Sequence, residues 1–232
     1  MTVASEAVAL DEPALIGGES APPPVDAAAG LVQALLQLHH KLGHIDVHLD
    51  DSWQRWLQQR CTGLEALPDD LLLRLKQAWL LQPQAACPDA QRLGEPALRL
   101  ALQERGQVRR SLCALALARR PGVLRCCLER ARRQRLRDAL DDVFEPLVLA
   151  SQGGRPVPAE VISWSPLAWA CVGYFDWLAL TSPGDRLLCR LVRLSLPRRL
   201  GGHAVRRRRA PPERAESAAL QMLRQMEGAW PC

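Results

Sequence analysis

The sequence predicts an all-α protein, and three observations support this fold class. Leucines recur at intervals of three and four residues through most of the chain, which is the spacing of one helix face. Ser-Pro pairs, which cap helix starts, precede two of these segments. No segment alternates apolar and polar residues persistently, as a half-buried strand would. We therefore expect a single irregular multi-helix domain with a disordered N-terminal tail.

Composition divides the chain into three regions. Residues 1–30 contain acidic side chains but no Lys or Arg, and they include "GGESAPPP", which is typical of a disordered tail. Residues 31–200 hold the helical patterns and are the predicted domain. Residues 201–232 contain a basic stretch around "GGHAVRRRRAPPE", predicted as an exposed linker, and then a terminal amphipathic helix at "ERAESAALQMLRQME".

Three helices are predicted in the N-terminal part of the domain. The first, "GLVQALLQLHHKLGH", has leucines at helical spacing at Leu31, Leu35, Leu38 and Leu42. The second lies in "DDSWQRWLQQR", with Asp51 or Ser52 as its N-cap. The third, "PDDLLLRLKQAWLLQP", is bounded by Pro68 and Pro83.

Three further helices are predicted after a loop between Pro83 and Pro96. They are "PALRLALQERG", which stops at Gly106, "QVRRSLCALALARRPG", which stops at Pro121, and the long "VLRCCLERARRQRLRDALDDVFEPL". A loop rich in Gly and Pro, "SQGGRPVPAEV", separates them from the next pair.

The next two helices have the clearest start signals. Ser165 with Pro166, and Ser182 with Pro183, are each an N-cap followed by proline at the first helical position. The helix over 166–180 is apolar nearly all round, which predicts the buried centre of the fold. The following helix has an arginine stripe opposite its leucines and ends at Pro197; the stripe consists of Arg186, Arg190 and Arg193.

Charge and hydropathy limit the function classes. The net charge is +5, but 28 arginines stand against only Lys41 and Lys76, so we attribute the basic balance to composition bias as much as to anion binding. The first 26 residues lack a basic n-region and an apolar h-region. The longest apolar stretch, 166–180, is shorter than the ~20 residues of a membrane span. We expect a cytoplasmic protein without a transmembrane segment.

The cysteines and histidines are candidates for reactive thiols and for metal ligands. The eight cysteines form no C-x-x-C pair and lie mostly among apolar residues, which predicts buried free thiols. Cys126 and Cys127 could alternatively form a reactive pair, because nearby arginines lower a thiol pKa. Histidines at four-residue steps would approach metal-ligand geometry on an unbroken helix; these are His40, His44 and His48. Gly43 and the segment "HIDVHLDD" predict that the helix ends near His44, so we expect a surface histidine cluster and no metal.

No catalytic motif is present. The sequence lacks G-x-S-x-G, a phosphate-binding glycine loop and H-E-x-x-H. The carboxylate pairs Asp69/Asp70 and Asp141/Asp142 are interpreted as a helix start and a solvated helix face. We therefore predict no catalytic residues, no cofactor and no enzymatic activity.

Arginine-rich segments leave nucleic-acid binding as the alternative function. Five arginines fall within eight residues at 130–137, and Arg206–Arg209 form a tetra-arginine run that could bind RNA, DNA or acidic lipid without specificity. A helix-turn-helix can be drawn over 97–120, but its second helix offers leucines rather than side chains that read base edges. Sequence-specific DNA binding is not predicted.

Two blocks of the sequence carry a recognisable pattern. The first block is "LRLALQERGQVRRSLCALALARRPGVLRCCLERARRQRLRDAL", and the second is "LAWACVGYFDWLALTSPGDRLLCRLVRLSLP", which closes on Leu-x-Leu-Pro at 194–197. Both blocks resemble the SctK/YscK family, accessory proteins of bacterial type III secretion systems. The resemblance spans roughly residues 95–200, and "DVHLDDSW" is faintly similar to the N-terminal segment of the family. The second helix of the pair departs from the family pattern, with Ala-Leu-Ala at 114–116 in place of a Leu-Gly step.

The resemblance implies a non-enzymatic cytosolic scaffold. Proteins of this family lie in the sorting platform beneath the injectisome and join the SctQ-family pod protein to the cytoplasmic domain of the SctD-family inner-membrane ring protein. On this interpretation, Arg186, Arg190 and Arg193 present a positive face to one of these partners, while the leucine side packs on the preceding helix. A solvated helix face without a partner is the alternative.

Overall fold

The computed structural model describes residues 25–64, 66–81, 90–214 and 216–228, and the regular structure in these ranges is entirely helical. The all-α prediction is confirmed. The helices, in chain order, are α1 (Val25–Gly43), α2 (Ile45–His48), α3 (Asp51–Cys61), α4 (Asp69–Leu81), α5 (Pro96–Arg99), α6 (Arg105–Ala118), α7 (Pro121–Cys126), α8 (Arg130–Leu140), α9 (Phe144–Ala150), α10 (Ala159–Ile162), α11 (Pro166–Leu178), α12 (Arg186–Leu194), α13 (Gly201–Arg209) and α14 (Glu216–Gly228).

The predicted tail falls mostly outside the described residues, which begin at Val25. Its last part, 25–30, belongs to α1, so the helical region starts earlier than predicted. None of the helices in the described ranges combines the length and apolar character that crossing a membrane requires.

Helices α6 and α11 form the centre of the molecule. Eight residues of α6 and nine of α11 are buried, as expected for a helix pair in contact along its length. Gly173 permits the close approach, because a Cβ atom there would lie 1.9 Å from the carbonyl oxygen of Leu112. The start of α11 was predicted correctly, since the Ser165 hydroxyl accepts a hydrogen bond from the Ala168 amide at 3.2 Å.

The arginine-striped helix α12 follows a 3₁₀ turn at Pro183–Asp185. Its predicted apolar side is confirmed, because five of its residues are buried: Leu187, Leu188, Leu191, Val192 and Leu194. This side packs on α4, on α11 and on a second 3₁₀ turn at Leu100–Leu102.

The long helix predicted after Pro121 is divided in the structure. Helix α7 ends at Cys126, and α8 begins only at Arg130, with Cys127 outside helical backbone geometry (φ −78°, ψ 80°). A second interruption at Asp141, with φ 54°, separates α8 from α9. With these interruptions, Leu124, Cys127 and Phe144 are all buried in the core.

Residues 201–214 and 216–228 are more structured than predicted. The glycine-rich start of the predicted linker forms α13, which packs on α11, and α14 packs on α5 and α6. Met222, Leu223 and Met226 of α14 are buried in the same hydrophobic core as Ala34 of α1. Tertiary contacts therefore override the weak helix propensity of Gly201 and its neighbour.

Candidate functional site

The three arginines of the stripe lie on α12, but only Arg186 is exposed. Arg190 is half-buried, and its Nε donates a hydrogen bond to the carbonyl oxygen of Leu80 at the end of α4. Arg193 is also half-buried, and its Nη1 donates to the carbonyl oxygen of Pro197 at 2.7 Å. Two of the three side chains thus hold neighbouring segments of the protein in place.

One tryptophan ring, that of Trp53, covers the same two arginines. The guanidinium carbons of Arg190 and Arg193 lie 5.0 and 5.5 Å from the centre of the Trp53 ring. Burial lowers the pKa of both arginines, and the interaction with Tyr174 opposes this effect. Both remain cationic at neutral pH, because a guanidinium does not deprotonate in proteins.

The Leu-Ser-Leu-Pro segment after α12 is fixed by residues distant in the sequence. The Leu194 carbonyl oxygen accepts from the Asp50 amide at 2.9 Å. The Ser195 carbonyl oxygen accepts from Arg109 Nε at 2.8 Å, and the Leu196 carbonyl oxygen from Trp53 Nε1 at 3.1 Å. The segment is therefore a docking point for the start of α3 and for α6.

Asp50 connects α3 to α6 at this docking point. It is the N-cap of α3, accepting from the Ser52 amide at 2.8 Å, where the sequence predicted Asp51 or Ser52. Its second carboxylate oxygen pairs with Arg109 Nη2 at 2.6 Å. Since Arg109 also binds the Ser195 carbonyl, one arginine joins α3, α6 and the end of α12.

An exposed arginine–tryptophan surface continues from this junction. We use that name for Trp56, Arg60 and Arg198. The guanidinium carbons of Arg60 and Arg198 lie 4.7 and 5.1 Å from the Trp56 ring centre. Both arginines are exposed and Trp56 is half-buried, so this surface presents flat aromatic area beside two positive charges. Such a surface suits an acidic partner with apolar side chains.

A buried ionic cluster lies on the other side of α11. Asp176 is fully buried, and its carboxylate binds the Arg120 guanidinium through both oxygens, with one contact of 3.1 Å. Arg207 Nε donates to the same carboxylate at 3.2 Å, and Arg119 Nη1 lies 3.9 Å from it. One carboxylate thus faces three guanidinium groups.

The tetra-arginine run of α13 is used mainly within the protein. Arg207 binds Asp176, Arg209 Nη1 pairs with Glu160 Oε2 at 3.1 Å, and the Arg206 guanidinium carbon lies 5.7 Å from the Trp164 ring centre. Arg208 is exposed. The run is therefore part of a helix and not of the exposed linker that the sequence predicted.

The possible helix-turn-helix does not present a recognition helix. Its second helix is α6, in which every residue from Ser111 to Leu117 is buried. A helix at the centre of the core cannot enter a DNA groove. Helix α8 is different, because Arg130, Arg135 and Arg137 are exposed on it.

The histidines lie at a helix end, as predicted. Helix α1 ends at Gly43, and the rings of His40 and His44 are 4.4 Å apart at their centres. His48 lies on α2, where burial and the charge of Lys41 lower the pKa of its ring to about 4. Across the described ranges, no group of three or more His, Cys, Asp or Glu side chains is placed to hold a metal ion.

The cysteines in the described residues are free thiols, and three of them are buried: Cys113, Cys127 and Cys171. Burial raises the pKa of Cys171 to about 12 and also raises that of Cys127. The alternative of an activated Cys126/Cys127 pair is therefore not favoured at Cys127, where burial outweighs the nearby arginines. Cys87 and Cys232 lie outside the described residues.

Sequence reasoning missed the ionic cluster and a buried lysine. A signal for the cluster existed, because Asp176 is the only charged residue within the apolar 166–180 stretch. Lys41 gave no such signal; it is 1% exposed, and its ammonium donates a hydrogen bond to the Gln103 carbonyl oxygen.

Comparison of the chain with family models, with curated proteins and with solved structures gives no match.

Proposed function

We propose that this protein is a non-enzymatic cytoplasmic scaffold of a bacterial type III secretion system. In this role it would link the SctQ-family pod protein to the cytoplasmic domain of the SctD-family inner-membrane ring protein within the sorting platform. The proposal starts from the resemblance of residues 95–200 and of "DVHLDDSW" to the SctK/YscK family.

One observation supports it most. The two most distant stretches of the resemblance, around Asp50–Trp53 and around Leu194–Pro197, contact each other through backbone and side-chain hydrogen bonds. The resembling residues thus belong to one packed unit, as they would in a member of the family.

The arginine–tryptophan surface is our candidate for one partner site. Trp56, Arg60 and Arg198 are accessible, and Arg186 lies one helical turn before Arg190 on the same side of α12. Tryptophan and arginine are the residues most enriched in interface hot spots. Arg190 and Arg193 support this surface from beneath, so we assign them a positioning role and assign contact with the partner to Arg186 and Arg198.

Co-purification is the first test. The full chain should be expressed with candidate pod and ring proteins, captured at moderate salt and treated with nuclease. We expect a stoichiometric complex that survives nuclease. Recovery of nucleic acid without either protein would contradict the scaffold proposal.

Charge reversal then tests the surface. Arg186→Glu should slow association with the partner and make it less sensitive to salt, because exposed charges act mainly on the association rate. Arg130→Glu, on the exposed side of α8, is a matched control for the change in net charge. Equal association rates for both variants would show that Arg186 is not part of the interface. Simultaneous reversal of Arg190 and Arg193 is unsuitable, since it would disturb the fold.

Nucleic-acid binding is the second candidate function, and exposed arginines on α8 favour it. Arg130 and Arg135 are exposed on this helix. Arg132, between them in sequence, forms an ion pair with Glu129 at 2.6 Å. A binder of this kind should lose affinity steeply as salt increases. Filter binding of the purified chain to RNA and DNA at two salt concentrations distinguishes it from the scaffold.

A further inference from the structure

A cavity of about 300 Å³ lies between α9, α14 and the end of α6. Its walls are mainly apolar and include Val143, Pro146, Leu147, Met222 and Met226. The volume is at the lower end of the roughly 300–1,000 Å³ range of small-molecule pockets. Methionine side chains adapt readily to the shape of a bound apolar group.

One buried cation lines this apolar cavity. Arg119 is 6% exposed, and neither its Nε nor its Nη1 donates a hydrogen bond to any of the described residues. Its nearest carboxylate is Asp176, at 3.9 Å from Nη1, beyond hydrogen-bond distance. A buried guanidinium with two unused donors is costly, and an anion at the cavity wall that Arg119 lines would offset its positive charge.

The surrounding charges favour an anion further. Asp176 already binds Arg120 and Arg207, so three guanidinium groups share one carboxylate. Arg214, half-buried, also lines the cavity, although its Nη2 donates to the Ala150 carbonyl oxygen. The one acidic side chain at the rim is Asp142, about half exposed and 3.8 Å from Arg110 Nη1.

We propose that this cavity binds a small amphipathic carboxylate, such as a medium-chain fatty acid. The carboxylate would lie at the part of the wall that Arg119 lines, and the alkyl chain would lie against Leu147 and the two methionines. The inference depends on the cavity alone and is independent of the secretion proposal.

Titration of the full chain with four probes tests the ligand class. Octanoate combines the charge and the apolar chain, octanol lacks the charge, acetate lacks the chain, and octylammonium reverses the charge. Calorimetry should show saturable binding of one octanoate per chain. Because attraction between opposite charges is strong in a buried site, octanol should bind at least about tenfold more weakly than octanoate, and acetate and octylammonium should not bind.

Two variants locate the site. Arg119→Met removes the charge and keeps an apolar side chain of similar length, so octanoate should lose its advantage over octanol. Met222→Trp fills the cavity and keeps the arginine, so both probes should lose binding. Arg130→Met is the control for loss of one arginine elsewhere and should bind octanoate like the unchanged chain.

Binding measurements on the unchanged chain can already contradict the proposal. Equal affinity for octanoate and octanol would eliminate the carboxylate as the recognised group, and absence of saturable octanoate binding would eliminate the site. If octanoate binds but Met222→Trp, shown to be folded by circular dichroism, binds it equally well, the site lies elsewhere and the assignment is wrong.

Discussion

Asp176 is a charged side chain in the middle of the most apolar helix of the protein. Removing a carboxylate from water costs several kcal/mol, which only close opposite charges can offset. Here Arg120, itself 1% exposed, binds both carboxylate oxygens, and Arg207 adds a third contact from α13. The cluster thus joins the connection between α6 and α7, helix α11 and helix α13 through one residue.

Replacing Asp176 with Asn should strongly destabilise the protein. The variant retains the shape of the side chain but leaves three guanidinium groups without their shared anion, so we expect a loss of about 3–5 kcal/mol in the free energy of unfolding. Urea unfolding followed by circular dichroism measures this. As a control, Glu145→Gln removes an exposed ion pair with Arg137 and should cost under about 1 kcal/mol. Similar losses for both variants would contradict the structural role of Asp176.

Lys41 gives the protein a specific pH dependence. Burial lowers the pKa of its amine from 10.5 to about 7, and the charge of Glu104 compensates only in part. In the unfolded chain the ordinary pKa is restored, so between these two values the unfolded state binds more protons than the folded state. The free energy of unfolding therefore increases with pH over this interval, and below about pH 7 the buried charge reduces stability.

Lys41→Met should flatten this increase. Counting about 1.36 kcal/mol per pKa unit, the lysine contributes a rise of up to about 5 kcal/mol between pH 7 and 10.5. Urea unfolding at several pH values between about 6 and 9.5 should show that the free energy of unfolding increases less with pH in the variant than in the unchanged chain. Lys76→Met is the control, since Lys76 is the only other lysine and forms a surface ion pair with Asp46 at 2.7 Å. An unchanged slope in Lys41→Met would contradict the lowered pKa.

At the scale of the elements, the contact between α6 and α11 leaves no room for a side chain at Gly173. Gly173→Ala would place a methyl group 1.9 Å from the Leu112 carbonyl oxygen, so the two helices must separate. We expect a loss of about 1–3 kcal/mol or more in the free energy of unfolding. Gly106→Ala, on α6 with open space around it, should instead be neutral or stabilise by roughly 0.5–1 kcal/mol. Thermal unfolding of both variants tests this, and equal midpoints would contradict it.

Local signals in the sequence predicted several elements well. The Ser165–Pro166 start of α11 and the apolar face of α12 are properties of a few neighbouring residues, and both are confirmed. The division of 121–150 into three helices was not predicted, because it depends on burying residues such as Cys127 against distant helices. Helix α13 was not predicted for the same reason, because its arginines bind Asp176 and Glu160, which are distant in the sequence.

The candidate site was predicted only in part. The positions of Arg186, Arg190 and Arg193 on one helix follow from their spacing, but the sequence could not indicate that Trp53 covers two of them. That contact spans more than a hundred residues of chain, and periodicity contains no information about such pairs. Whether Arg186 contacts a partner stays a prediction.

At the scale of the whole molecule, one continuous core extends from Ala34 to Met226. We therefore expect a single cooperative unfolding transition rather than separate transitions for 31–200 and for the C-terminal helices. Tryptophan fluorescence and far-ultraviolet circular dichroism should give the same urea midpoint. Two resolved midpoints would indicate that the C-terminal helices unfold independently.

The Leu194–Pro197 segment has a consequence for synthesis on the ribosome. The indole of Trp53 and the amide of Asp50 find their acceptors only in residues made more than 140 positions later. During translation, α3 therefore leaves the exit tunnel long before its docking point exists, and its apolar side stays uncovered for that time. A nascent chain that stops before residue 194 should accordingly be a better substrate for chaperones and proteases than the finished protein.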